Sequence, residues 1–184
     1  REKYEKPFVY FDDFLDYFKR TGQKICGIVN SDVHLISDKN LPAFFSSEVQ
    51  DGLVFGSRID VAHLEKLQGE MYHMGFDFFF FDQELLKLFP KEEFCIGQPW
   101  WDYWLPIVPL GKGKLVKRLM TPIAYHVKHP INWNPQVRTK LGLRMAKYIR
   151  TAVPVSEKNM MPFLQYVCRI IREKAQNTYI KQGV

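Results

Sequence analysis

Ile25-Cys26-Gly27-Ile28-Val29 is apolar at every position and stops abruptly at Asn30-Ser31-Asp32. A strand with no polar face must be covered on both sides, as in sheets flanked by helices. Leu53-Val54-Phe55-Gly56 and residues 76–81, with four consecutive Phe from Phe78, read as further strands. Helical periodicity lies between them. A first helix carries Phe14, Leu15 and Phe18 on one face, with Asp12 or Asp13 as cap and Gly22 as stop. A second, over 60–74, starts at Asp60, turns Val61, Leu64, Leu67 and Met71 inward and ends at Gly75. A short helix follows over 83–89, and residues 115–127 hold one more strand. Alternating strands and helices predict an α/β fold with a mixed, mostly parallel sheet flanked by helices.

Past Asn134 the pattern becomes helical. Asn134 is a good cap with Pro135 in the first helical position, and Val137, Leu141, Met145 and Tyr148 form one stripe. A last helix over 159–175 aligns Phe163, Leu164, Val167, Ile170 and Ile171. The division expected is a core over 1–133 and a basic helical C-terminal appendage, 134–184, of the same domain. With 184 residues one sizeable core is accommodated.

Charge divides the chain more sharply than its total of +6 suggests. Residues 1–110 carry 11 Lys/Arg against 18 Asp/Glu, and residues 111–184 carry 15 against 2, a formal −7 followed by +13. The basic part points to an anionic partner, whether phosphate, nucleic acid or a lipid surface. Cys26, Cys95 and Cys168 are an odd number with no close pair, which favours a reducing, cytoplasmic compartment over a disulfide framework. No apolar run reaches the roughly 18–20 residues of a membrane-spanning helix, so membrane contact is expected to be peripheral at most.

Three constellations can carry chemistry. Asp32 follows a buried strand, so it is delivered to the sheet edge where open α/β folds bind ligands, and can hold a divalent metal; an Asn/Asp turn is the alternative. In Gly97-Gln98-Pro99-Trp100-Trp101-Asp102-Tyr103-Trp104 the aromatics can stack a sugar and raise the Asp102 carboxyl toward a general base, or they can be core with Asp102 as a helix cap. In Tyr125-His126-Val127-Lys128-His129-Pro130-Ile131-Asn132-Trp133, two histidines three apart can supply a metal ligand and a phosphate or substrate contact, or be ordinary histidines. Arg58, straight after a strand, can face a pyrophosphate or the acceptor, or be a surface charge. His34 is ambiguous, and His63 and His73 have no partner signature. Neither a Gly-x-Ser-x-Gly elbow nor a phosphate loop is present.

Taken in order, the strand into Asn30-Ser31-Asp32, the Gly75-Phe76-Asp77-Phe78-Phe79-Phe80-Phe81 segment, the Gly97-to-Trp104 stretch and Ala124-Tyr125-His126 resemble small GT-A-type glycosyltransferases over residues 24–133. The resemblance implies that Asn30, Ser31 and Asp32 stand at the family's Asp-x-Asp position. Asp32 and His126 are then the metal ligands, for Mn2+ or Mg2+, and Asp102 the base that activates the acceptor hydroxyl. Asn30, Ser31 and Arg58 are expected on the donor, and Trp100, Trp101 and Trp104 on the acceptor sugar. Asn stands where the family has its first acid. Only a helix and a charged leader precede Lys24, so the family's opening nucleotide-binding strand is expected to be shortened, lost or upstream of Arg1.

The implied activity is sugar transfer from a nucleotide-sugar donor to a glycan or glycolipid hydroxyl, with peripheral contact to an anionic membrane through the basic part and no nucleic-acid partner. The alternative is a non-catalytic carbohydrate- or phosphate-binding module derived from such a domain.

Overall fold

A computed structural model describes residues 9–129, 134–150 and 155–181. Residues 130–133 of the histidine-bearing segment, Trp133 among them, and with them the expected boundary at 133, lie outside the described residues. In chain order the elements are α1 (Phe11–Thr21), β1 (Ile25–Val29), β2 (Val33–Leu35), α2 (Leu41–Glu48), β3 (Gly52–Gly56), β4 (Ile59–His63), β5 (Lys66–Met71), β6 (Phe78–Asp82), α3 (Trp101–Gly111), β7 (Leu115–Leu119), β8 (Ala124–Val127), α4 (Pro135–Ile149), α5 (Met160–Lys174) and β9 (Gln176–Thr178).

Two mixed sheets form an α/β architecture. The first is ordered β1-β6-β3-β7-β9. Its β3–β7 and β7–β9 pairs are parallel, and its β1–β6 and β3–β6 pairs antiparallel, so the expected predominance of parallel pairing is corrected. The central places belong to β6 and β3, whose apolar side chains are covered on both faces. β1 sits at the edge, yet still buries Cys26 and Ile28 on one side while Ile25 and Val29 pack on the other. On one face Leu53, Phe55, Phe79 and Phe81 meet α1, α3 and α5. On the opposite face Val54 and Phe78 meet Phe45 and Val49, and the Phe45 ring stacks on Phe80 at 3.8 Å.

The helix expected over 60–74 is a β-hairpin, β4 and β5, with Ile59 opposite Met71 and Val61 opposite Gly69. Gly69 is a poor helix former. In the hairpin a side chain there would run into the Asp60 carbonyl, so only Gly fits. Ile59, Asp60 and Val61 alternate apolar and polar, the period of a half-buried strand, before the register shifts after Val61. This hairpin belongs to the second sheet, ordered β2-β8-β4-β5.

The segments 134–150 and 155–181 are built into the core rather than appended to it. Asn134 accepts the N–H groups of Gln136 and Val137 and starts α4, which buries Leu141 and Met145. At Gly142 an added Cβ would meet the Met160 sulfur and lie 2.9 Å from the Trp100 ring, so glycine lets α4 pack closely against the start of α5 and against Trp100. α5 buries Phe163, Leu164, Val167 and Ile171, and β9 extends the first sheet beside β7. Among the described residues no helix is long and apolar enough to cross a membrane.

Two neighbouring strands run on from the first sheet into the second: β3 leads to β4, β7 leads to β8, and each pair is parallel. At the crossing, the Asp77 N–H donates to the Gly56 carbonyl at 2.9 Å and the Asn30 N–H to the Asp77 carbonyl at 2.9 Å. The C-terminal ends of β1 and β3 and the start of β6 are thereby stitched together, and this seam opens onto a cleft.

Candidate functional site

The cleft has a volume of about 310 Å³, and its wall includes Asn30, Asp32, Arg58, Tyr72, Asp102 and His126. Strand register explains why chemistry distant in sequence meets here. β8 lies between β2 and β4, with His126 opposite Asp60 on one side and opposite Val33 on the other. Asp32 immediately precedes Val33, so the turn after β1 sets its carboxylate beside the imidazole.

Asp32 Oδ2 lies 3.4 Å from His126 Nε2 and 3.2 Å from His129 Nε2, and the three donor atoms all fall within 4.8 Å of one another. His126 is buried and the other two are exposed. Burial alone would raise the Asp32 carboxyl; the hydrogen bond from His129 and the charge of His126 outweigh it and hold the group below its ordinary value. Asp32, His126 and His129 are a candidate set for a divalent ion: donors each ~2.1 Å from one metal stand at most roughly 4 Å apart, so a set spanning up to 4.8 Å would have to close slightly around it. Two imidazoles and one carboxylate suit Mn2+ better than Mg2+, which prefers all-oxygen shells. His129 lies beside the expected pair, Asp32 and His126, in this candidate set.

Behind the cluster runs a chain of charges. His126 Nδ1 is 2.9 Å from Asp60 Oδ1, and the same oxygen accepts Arg58 Nε at 2.7 Å. Arg58 Nη1 donates to Asp77 Oδ1 at 2.7 Å, Asn30 Nδ2 donates to that oxygen at 3.0 Å, and the Arg58 backbone N–H reaches Asp77 Oδ2 at 3.1 Å. Burial opposes charge on both partners, and the paired groups outweigh it: Asp60 titrates below its ordinary range and Arg58 above. Arg58, expected on a pyrophosphate, therefore spends two donors inside the protein while its guanidinium lies 4.2 Å from the centre of the Tyr72 ring. Asn30, expected on the donor, is turned inward to Asp77; Ser31 is exposed at the rim of the cleft.

Asp102 occupies the first turn of α3, across the same cleft. Its Oδ2 accepts the Phe76 N–H at 3.2 Å. Burial is the main influence on its carboxyl and pushes it up to about 7; the Phe76 N–H lowers it and the Asp77 charge raises it further. The helix begins at Trp100, whose φ of 85° is a left-handed backbone that a bulky residue adopts only under constraint. The Trp100 indole supplies that constraint by donating Nε1–H to the Arg138 carbonyl at 2.9 Å.

The tryptophans themselves are core, which corrects their expected role on the acceptor sugar. Trp100 packs on Tyr103 and Phe163, Trp101 on Phe79, and Trp104 on Phe94 and Tyr148. All three are at most 3 % exposed, leaving no open ring face for stacking. Trp100 and Trp101 contribute to the cleft wall; Trp104 does not.

Asp60, Asp77 and Tyr72 are the site residues that sequence reasoning did not single out. Asp60 was hidden by the helical pattern. For Asp77 the signal was a lone acid heading an otherwise apolar strand. Compared with family models, curated proteins and solved structures, the chain gives no match.

Proposed function

We propose that this chain transfers a sugar from a nucleotide-activated donor to a hydroxyl acceptor, as its resemblance to GT-A-type glycosyltransferases implies. The observation that carries the reading is convergence: the Asp32, His126 and His129 cluster and the half-buried Asp102 line one cleft.

Asp32, His126 and His129 would hold the ion, of which Mn2+ fits the donor set. A divalent cation there supplies positive charge for a departing diphosphate. Asp60 fixes His126 through Nδ1 and so aims Nε2 at Asp32. Asp102, with a carboxyl pushed up to about 7, is matched to accepting the acceptor hydroxyl proton near neutral pH. Tyr72, rather than the tryptophans, offers an aromatic surface in the cleft wall.

Incubation with a panel of nucleotide sugars, Mn2+ and simple glycan acceptors tests the reading. Metal-dependent release of nucleoside diphosphate, lost in Asp102→Asn while donor binding persists, is the expected outcome. Metal-dependent donor binding without turnover on any acceptor would instead support the non-catalytic module, and no donor binding would remove both.

A further inference from the structure

Tyr72 lines the cleft between its two groups of chemistry. It directly follows β5, and its backbone N–H donates to the Arg58 carbonyl at 2.9 Å, one step beyond the pairing of Ile59 with Met71. The Arg58 guanidinium covers one face of the ring, 4.2 Å from its centre, and is itself fixed by Asp60 and Asp77. Elsewhere the ring meets Gly75. A Cβ on Gly75 would lie 2.9 Å from Tyr72 Cε1 and 3.1 Å from Asp102 Oδ2, so the ring and the carboxylate flank one gap that glycine leaves open. A ring held in this way loses little freedom when a ligand arrives.

The hydroxyl of this ring is spare. Among the described residues it has no hydrogen-bond partner, and it is not sealed in the interior. Other donors on the same wall are committed to the protein: Asn30 Nδ2 and Arg58 Nη1 to Asp77, and the Tyr103 hydroxyl to the Met74 carbonyl at 2.7 Å. Burial is the main influence on the Tyr72 phenol and pushes it up to about 12, against the pull of the Arg58 charge. It therefore keeps its proton at neutral pH and can donate. In ligand pockets a few such fixed polar groups on a mainly apolar wall set orientation and selectivity.

We propose that Tyr72 determines which sugar the cleft accepts, its hydroxyl donating to a hydroxyl oxygen of the transferred sugar. This rests on the transferase function proposed above. There the departing diphosphate is held at Asp32, His126 and His129 and the acceptor hydroxyl lies at Asp102, so the transferred sugar occupies the space between. Tyr72 borders that space from both directions: Arg58 and Asp60 connect it to His126, and Gly75 separates it from Asp102. The substrate class that follows is a donor whose sugar carries a hydroxyl toward Tyr72, in preference to its deoxy counterpart. Without that hydroxyl the phenol is desolvated and left unpaired, the penalty by which a site built to bind a hydroxyl rejects an analogue lacking it.

The test starts from the nucleotide sugar that the parent protein binds best and removes each sugar hydroxyl in turn. The intact and deoxy donors are compared in the parent and in Tyr72→Phe, by kcat/KM and by calorimetric affinity in the presence of Mn2+. The parent should lose about tenfold or more in both measures on one deoxy donor. Tyr72→Phe, which keeps the ring and its contact with Arg58, should treat that donor and the intact one alike. A merely structural role would weaken every donor equally. That result, or the same discrimination in both proteins, overturns the proposal and leaves the transferase function standing. A parent that binds no nucleotide sugar removes that function and the proposal with it. Where the parent binds without turnover, the affinities alone decide, because the coupling of one sugar hydroxyl to Tyr72 is read in them too.

Discussion

Asp60 Oδ1 stands 2.9 Å from His126 Nδ1, opposite it in the β4–β8 register, and this contact leaves only Nε2 of the imidazole to face Asp32. A carboxylate behind a metal-binding histidine fixes its tautomer and ring plane and raises its basicity. Asp60→Ala should therefore weaken Mn2+ binding by about 10–100-fold although Asp60 is not itself a ligand. Asp60→Asn, which can still accept the Nδ1–H, should lose less. Mn2+ titration by electron paramagnetic resonance measures both, and equal affinity in Asp60→Ala and the parent would dismiss the positioning role.

The carboxyl of Asp102 links rate and stability to pH in opposite directions. In the proposed role of base it would work deprotonated, so turnover should rise with pH and level off above about 7. Asp102→Asn should lower kcat by about 10²–10⁴-fold. The folded protein holds this proton more tightly than the unfolded chain. The associated stability is fully present below the ordinary carboxyl value of 3.8 and is lost as pH rises through about 7. Asp102→Asn should then be more stable than the parent at pH 8 by roughly 1–3 kcal/mol and gain little at pH 4. Urea unfolding at the two pH values decides it.

Strands, flanking helices and the residues of the cleft were legible in sequence wherever local pattern and tertiary role agree. The buried faces of α1, α4 and α5 follow from 3.6-residue periodicity, and Asp32, His126 and Asp102 follow from their places beside apolar strands or within an aromatic stretch. The hairpin of β4 and β5 was illegible because Val61, Leu64, Leu67 and Met71 satisfy a helical period by accident, and only Gly69 argues against it. β2 and β9, three residues each, are too short to show a period. α2 carried a readable signal, Asn40 accepting the Ala43 N–H before a first-turn Pro42. Asp60 and Asp77 act through strand register, which pairs residues far apart and leaves no local trace.

Asp77 is 1 % exposed and gathers donors from Asn30, from the Arg58 backbone and from the Arg58 guanidinium. Removing one partner of a buried ion pair strands the other charge, at a cost of ~3–5 kcal/mol. Asp77→Ala should destabilise by that order in urea unfolding, and Asp77→Asn by less, because it keeps an acceptor. A loss under about 1 kcal/mol in Asp77→Ala would mean that Arg58 finds water or another partner.

Trp104 is fully buried, and its Nε1–H has no partner among the described residues. Replacement by Phe removes an unsatisfied donor while leaving a small void, two effects of opposite sign. Trp104→Phe should stay within about 1 kcal/mol of the parent, against ~3–5 kcal/mol for Trp104→Ala. Thermal unfolding of the two variants separates them, and a Phe variant as damaged as the Ala variant would show that the indole shape itself holds α3 to α4.

Gly75 tests whether the cleft geometry matters separately from the fold. A Cβ there would lie 2.9 Å from Tyr72 Cε1 and 3.1 Å from Asp102 Oδ2, tighter than ordinary van der Waals contact. Gly75 does not have the positive φ that strains other residues, so its backbone accepts Ala. The added methyl must displace a neighbour. Tyr72 is held against the Arg58 guanidinium at 4.2 Å, and Asp102 is tied to the Phe76 N–H. Whichever yields, the carboxylate loses its alignment or the cleft its aromatic wall. Gly75→Ala should cost no more than ~1–2 kcal/mol of stability, yet lower transfer by about tenfold or more, since small misplacements of a catalytic group are expensive. Unchanged turnover in a folded Gly75→Ala protein would show that transfer depends on neither the alignment of Asp102 nor the Tyr72 wall beside it.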